Sequence, residues 1–400
     1  MLAELARFGA TDGGGVTRLA ASAEDGAARD WLEDWLRREG FKVRVDAVGN
    51  LFGIANLAGE GAPVVLCGSH LDSQPNGGRF DGAYGVVAAM LAVVANADAF
   101  RTMKAKPGAN LAVVSWTNEE GARFRPSTMG SGVYAGTLAA ADALAAKDAA
   151  GVSLGEALER IGYRGADVAP PAEIYVELHV EQARSMERAR ARVGVVTENW
   201  AAYKYEIVFR GEQAHTGPTA MAERRDALYG AAELIVHARN LPDLIDGLLH
   251  TSVGALRVEP NSPNVVPALA VATLELRSPE AEVLEAAELL LNRRLSEIAQ
   301  TARVGVEIKA TSRRDVRRFP ELYVKFAENA ARECGIELMR VATIAGHDAV
   351  TLLAAMPAIL LFVPSRDGIT HNEAEYTRPE DLEAGLHVLA RLLSHLLWRV

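Results

Sequence analysis

Four short apolar runs, each followed at once by histidines or carboxylates, constrain this chain most. Val64-Val65-Leu66-Cys67 leads into Gly68-Ser69-His70-Leu71-Asp72, and Asp81 follows after a glycine-bearing loop. Leu111 to Trp116 ends at Thr117-Asn118-Glu119-Glu120. Ile174-Tyr175-Val176 leads into Glu177-Leu178-His179-Val180-Glu181-Gln182, and Ala358 to Val363 precedes Ser365 to Asn372, which holds His371. Runs of this length and apolarity read as buried strands. Helical stretches alternate with them. Ser22 caps a helix to about Arg38, with Glu24 and Asp25 in its first turn and Gly40 past its end, and another helix starts near Gly85. Lys42 to Asp46 and Leu51 to Leu57 are further strands. The alternation predicts an α/β sheet with helices on both faces. Ligands of such sheets gather at the carboxyl ends of the strands, which places these polar residues on a functional rim.

The pattern changes near Tyr203. Tyr203 to Phe209 alternates, Gly211 to Pro218 is a loop around His215, and a helix runs from about Arg225 to Asn240. Thr251 to Val258 and Ala270 to Arg277 are strands around a loop rich in Pro and Asn. A helix over Glu280 to Ala302 and a strand over Gly305 to Ala310 complete a βαββαβ string, predicting an inserted α+β domain at 202–315. Residues 1–201 and 316–400 then form the main domain, whose pattern resumes with a helix over Glu321 to Cys334. The alanine-rich stretch at 135–149 reads as a plain surface helix.

With 42 basic and 52 acidic residues, net −10, and no basic cluster interleaved with aromatics, the chain is a poor fit to nucleic acid. The N-terminus lacks a charged segment followed by a long apolar one, so no secretion signal is expected. Val86 to Val94 is too short and alanine-rich to span a membrane and fits a buried helix. Cys67 and Cys334 lie in apolar patterns and read as buried free thiols of a reducing compartment. A cytoplasmic protein is the expectation.

The polar residues suit metal chemistry. Imidazole nitrogen and carboxylate oxygen are good zinc donors, and one carboxylate can bridge two metals. Glu119 and Glu120 point in different directions at a strand end, so one can bind metal while the other stays free as a base. Taken singly, each element has an ordinary reading: a solvated acidic loop, or a structural histidine. Three histidines and two carboxylates at strand ends together fit a two-metal site.

These residues also carry a family resemblance. The chain resembles the M20 metallohydrolases, and within them the hydantoinase/carbamoylase amidase branch. The motifs are GSHLDSQPNGGRFDGAYGV, WTNEEGARF, ELHVEQ, GEQAHTGPT, PNSPNVVP, LELRSP, GHDA and DGITHNEAE. The resemblance implies a dinuclear-metal catalytic domain, with a mixed, mostly parallel sheet flanked by helices, plus an inserted lid and dimerisation domain. It implies His70, Asp81 and His179 on one metal, and Asp81, Glu120 and His371 on the second, with Asp81 bridging. Zinc suits the set, and manganese, cobalt or nickel are plausible replacements. Glu119 would be the general acid/base and Asp72 would orient His70. His215 would reach an active site from the partner subunit to stabilise an oxyanion. Asn264 and Arg277 would grip a substrate carboxylate, Gln182 a carbamoyl amide, and His347 and Asp348 would be pocket or supporting residues. The peptide after Asp81 is expected to be cis, as it often is in the family.

The implied reaction is hydrolysis of N-carbamoyl-L-amino acids to L-amino acid, ammonia and carbon dioxide by a homodimer. Ser73-Gln74 and the MGSGVYAG run at 129–136 resemble carbamoylases most. Allantoate or β-ureidopropionate would use the same site; an M20 peptidase, an aminoacylase or a non-catalytic homologue fits the motifs less well. Two departures stand out. Ala183 replaces the family's usual glycine, and the chain begins inside what is normally the family's first helix.

Overall fold

The computed structural model describes residues 1–103 and 106–398. Its contacts form two compact units, Met1–Glu198 with the segment from Arg318 onward, and Asn199–Arg317. In chain order the strands are β1 (Lys42–Val45), β2 (Leu51–Ala55), β3 (Val64–His70), β4 (Asn110–Trp116), β5 (Ile174–Val180), β6 (Val193–Asn199), β7 (Ala201–Arg210), β8 (Ala214–His215), β9 (His250–Glu259), β10 (Val265–Val266), β11 (Leu269–Ser278), β12 (Gly305–Arg314), β13 (Leu338–Thr343) and β14 (Ala358–Val363).

The first unit holds a sheet in the order β1-β2-β4-β3-β5-β14-β6-β13. Its centre, β4-β3-β5-β14, is parallel throughout, while β1, β2 and β6 pair antiparallel. Every residue of these four central strands is buried, which is why their sequences are apolar without alternation. β5 extends past Val176 to Val180, so Glu177 and His179 are strand residues rather than loop residues.

Helices flank this sheet. Ala83–Met103 is 21 residues long, more than the apolar stretch in the sequence suggested, and long and apolar enough to cross a membrane. Burial of 72% of its most apolar window inside this unit marks it as a core helix. The alanine-rich stretch forms only a short helix, Ala140–Ala145, preceded by a turn at Gly136 (φ 71°) and ended where Ala146 becomes extended. Cys67 is buried and Cys334 is partly exposed at a helix end, against the expectation that both are buried; both are free thiols.

The helix Ala23–Arg38 begins as expected, with Ser22 Oγ accepting from the Asp25 amide at 3.2 Å. It contributes a buried ion pair that the sequence pattern did not reveal. Asp25 accepts from Arg29 Nε at 2.9 Å, and Arg29 donates to the Gly49 carbonyl and to Thr117 Oγ1. This ties the helix to the first residue after β4.

The second unit is α+β. Its antiparallel sheet β12-β7-β11-β9 buries Tyr203, Tyr205, Ile207 and Phe209 of β7 and Ala270, Ala272, Leu274 and Leu276 of β11 in a core with the helices Ala227–Asn240 and Ala281–Thr301. The period-2 burial reproduces the alternation in the sequence.

Removing one member of a buried ion pair strands the other. Asp25→Ala is expected to lower unfolding free energy by about 3–5 kcal/mol, read as a reduced urea midpoint. Asp34→Ala on the exposed side of the same helix should change it by less than about 0.5 kcal/mol.

Candidate metal centre

Because β3, β4, β5 and β14 run parallel, the segments leaving their carboxyl ends share one rim. His70 is the last residue of β3 and His179 the penultimate residue of β5; their rings stack with centroids 5.8 Å apart. The loop after β3 returns Asp81 to this pair. Asp81 Oδ1 lies 3.1 Å from His179 Nε2 and 3.6 Å from His70 Nε2. Asp81 Oδ2 lies 3.4 Å from His371 Nε2, which is itself 3.4 Å from Glu120 Oε2. Two donor groups result, His70/Asp81/His179 and Asp81/Glu120/His371, sharing Asp81. Glu119 stands beside the first, its Oε2 3.7 Å from His70 Nε2.

Local backbone makes this possible. Gly82 has φ 63° and its Cα faces the His70 ring: a Cβ there would lie 2.4 Å from Cε1. Asn118 (φ 54°) and His371 (φ 52°) occupy the left-handed region that non-glycine residues seldom adopt, which turns their segments sharply at the rim. The peptide after Asp81 is not cis, contrary to expectation; the cis bonds among the described residues are Arg125–Pro126 and Glu259–Pro260. Ala183 has no positive φ, so alanine fits where glycine was expected; Gly368 packs on its carbonyl.

The supporting contacts differ from expectation in one respect. His70 Nδ1 is oriented by the backbone carbonyl of Asp72 at 2.9 Å, while the Asp72 carboxylate is 3.7 Å away. That carboxylate instead accepts from the backbone N–H groups of Glu119 and Glu120, both at 3.2 Å. Asp72 thus holds the acidic pair from below.

Other contributors had no role assigned from the sequence. Arg18, buried, donates to the Leu71 carbonyl at 2.6 Å and to the carbonyls of Leu5 and Phe8, bracing the peptide between His70 and Asp72. Gln74 donates to Glu120 Oε2 at 3.0 Å. Glu375 accepts from the backbone of the Asp81 loop. Gln74 lies in the run after His-x-Asp and Glu375 ends the motif DGITHNEAE, but neither motif pointed to these contacts.

Two predicted substrate residues lie elsewhere than an open pocket wall. Gln182 donates to Asp81 Oδ2 at 2.9 Å. His347 is buried, its ring edge-on to His179 at 4.6 Å. A third possible donor group, Glu177/His179/His347, is already committed: Glu177 accepts from Ser69 Oγ and from the Ala349 amide. Asp348, buried, accepts from Ser131 Oγ.

The electrostatics favour cations here. Burial, then the charges of Asp348 and Glu120, hold the Glu119 carboxyl well above the ordinary range. Burial, then Asp81 and Asp72, do the same to Glu120. Asp72 is pushed up to about 7 by burial and the Asp25 charge. At His179 burial opposes the imidazolium, but Asp81 outweighs it and the pKa rises to about 9. Crowded carboxylates of this kind are relieved by divalent ions. The donor spacings of 3.1–3.6 Å also fit: ligands about 2.0–2.1 Å from one tetrahedral ion lie about 3.3 Å apart.

In the second unit, β8 pairs with β10, bringing exposed His215 opposite Val265 and close to Asn264, whose carbonyl accepts from Thr216 N–H. Arg277, paired with Glu275 at 2.9 Å, sits at the far end of β11. Eight residues of strand, roughly 26 Å at about 3.3 Å each, separate Leu269 from Arg277. The structure does not bring Asn264 and Arg277 of one chain together.

A large α/β sheet with shared carboxylate and imidazole groups on its carboxyl rim defines the class, a metal-dependent hydrolase. Residues 66–395 match the model of peptidase family M20/M25/M40, and the chain belongs to that family. It is 46% identical to a protein of Mycolicibacterium smegmatis described no further than as a hydrolase, over 99% of this chain and 91% of that one. It is 36% identical to an N-carbamoyl-L-amino acid amidohydrolase of Geobacillus stearothermophilus, over 100% and 97% of the two chains. It is 34% identical to an allantoate amidohydrolase of Bacillus subtilis, over 98% and 95%. The crystal structure of a hydantoinase/carbamoylase family amidase from Burkholderia vietnamiensis superposes with a TM-score of 0.94 at 36% identity, covering 100% of this chain and 96% of that one. The chain is a hydrolase of amide C–N bonds.

Prolonged chelation should abolish hydrolysis, with recovery on adding a divalent ion. Calorimetric titration of the stripped protein should show two ions bound by wild type, one by Glu120→Gln, and strongly weakened binding of both by Asp81→Asn.

Proposed function

We propose that this protein hydrolyses the carbamoyl (ureido) group of N-carbamoyl-L-amino acids, releasing L-amino acid, ammonia and carbon dioxide. The observation that carries the reading is Asp81, one oxygen toward each donor group, with the buried Glu119 beside them. We assign His70, Asp81 and His179 to one divalent ion and Asp81, Glu120 and His371 to the other, with zinc the best-suited metal and manganese, cobalt or nickel as replacements. Bound there, the ions would supply Lewis acidity, polarising the ureido carbonyl and acidifying water.

Glu119 then handles the protons. Burial and neighbouring carboxylates raise its proton affinity, so as a carboxylate it would accept a proton from the attacking water and then return it to the leaving amine nitrogen. The carbamic acid released breaks down to ammonia and carbon dioxide. We assign Gln182, whose Nε2 donates to Asp81 Oδ2, to the carbamoyl amide.

The unit Asn199–Arg317 is proposed to act as lid and dimerisation domain, in a homodimer. Asn264 and Arg277 lie too far apart in one chain to grip one carboxylate, so we assign one from each copy, and His215 with Asn264. The unit also exposes an edge strand, β9, with Leu256 outward, and Leu228, Tyr229 and Val236 on the helix Ala227–Asn240. These are surfaces a second copy would cover. Relatives that act on allantoate keep a second reading open, the same chemistry on allantoate or β-ureidopropionate.

Ammonia release should be screened across N-carbamoyl-L-amino acids, allantoate and β-ureidopropionate with zinc, manganese or cobalt. Turnover of allantoate alone would replace the first reading by the second. Glu119→Gln should lose about 10²–10⁴-fold in kcat while still binding metal; full activity on every substrate would sink the mechanism. Sedimentation should give a particle of twice the 42.8 kDa chain mass. Leu256→Glu should shift it toward monomer and reduce kcat/KM.

A further inference from the structure

We propose that Glu375 is a positioning residue that fixes Asp81 and His371 relative to each other, so that the two donor groups assemble as one centre. The proposal rests on the metal-centre reading above and goes beyond it to a residue outside the donor set.

Glu375 lies four residues beyond His371, and its backbone N–H closes a turn onto the Asn372 carbonyl at 3.0 Å. It is only 4% exposed. Its Oε1 accepts from the backbone N–H of Phe80 at 2.9 Å and of Asp81 itself at 3.1 Å. One carboxylate oxygen from the His371 segment thus grips the peptide that delivers Asp81. Next door, the Phe80 and Tyr376 rings meet edge to face at 6.3 Å, a second stitch between the same two segments.

The sequence opposite makes room for this grip. Gly78 lies directly against the Glu375 carboxyl: a Cβ there would sit 2.0 Å from Cδ and Oε1. Any larger residue would push the carboxyl away from the Phe80 and Asp81 amides.

The grip matters because of where His371 stands. Its side chain is 48% exposed and its backbone is in the left-handed region. Exposure leaves the ring little packing, so its place depends on how its segment is anchored. Asp81 in turn must present one oxygen to each group, and errors of about 0.5 Å degrade such sites. Glu375 serves both needs through one contact.

The test uses metal-stripped full-length protein, titrated with zinc or manganese by calorimetry, with the metal-induced rise in Tm measured in parallel. Glu375→Ala should weaken binding by about 10- to 100-fold and shrink the metal-induced rise. Glu375→Gln keeps an acceptor oxygen for both amides and should stay within a few-fold of wild type. Gly78→Ala leaves every hydrogen-bonding side chain in place and displaces only the carboxyl, so it should reproduce the loss. Wild-type metal affinity in Glu375→Ala, even with a lowered Tm of the stripped protein, would overturn the proposal as a merely structural role. If Glu375→Ala does not fold, wild-type affinity in Gly78→Ala overturns it instead. Wild-type protein that binds no divalent ion would overturn the metal-centre reading itself, before any variant is compared.

Discussion

The rim of the larger sheet concentrates more buried carboxylate than neutral surroundings tolerate, and Asp81 is its centre. Asp81 reaches three imidazoles with its two oxygens, while Glu119, Glu120 and Asp72 crowd beside it, their pKa values raised by burial and by neighbouring carboxylates. Such an arrangement is costly unless cations or close hydrogen bonds offset it. The surrounding structure reads as a set of answers to that cost. Backbone amides face Asp72, the Gln74 amide faces Glu120, and backbone amides face Glu375.

The parallel strands set where these groups meet, but not how they are held. The functional residues arrive on several segments of the rim, and most of these segments are braced by a residue from another. Arg18 braces the turn after His70, and Arg29, neutralised by Asp25, reaches Thr117 just before the acidic pair. Gly82 allows the Asp81 segment to close onto the His70 ring, and Gly78 allows Glu375 to close onto the Asp81 segment. A site assembled from strand ends and the loops that leave them is only as rigid as these cross-links.

The second unit has a different logic. Its antiparallel sheet buries one face under two helices and carries His215 and Asn264 at one end and Arg277 at the other. A strand's length separates Leu269 from Arg277 in this sheet, and that separation is the reason two copies are proposed above. The same unit presents the apolar, exposed edge that a second copy would cover.

Much of this was legible from sequence. Unbroken apolar runs such as Ala358 to Val363 announced buried parallel strands, and the polar residues after them announced the rim, because burial on both faces leaves no other reading. The grouping of His70, Asp81, His179, Glu120 and His371 followed from their motifs, and a resemblance rather than periodicity paired them. The alanine-rich stretch misled, since helix propensity without an apolar face to pack sustains only a short helix, here Ala140–Ala145. The cis peptide after Asp81 was likewise an expectation the backbone did not follow. What sequence could not supply were contacts between residues remote along the chain: Arg18 with Leu71, Gln74 with Glu120, Glu375 with Asp81, and the separation of Asn264 from Arg277. None has a local pattern, because hydrogen bonds to a distant backbone leave no periodicity and no spacing. The chain alone therefore determined which chemistry could occur and on which edge of the sheet. Tertiary structure decided which atoms face one another there, because only folding fixes the distances and low-dielectric surroundings on which that chemistry depends.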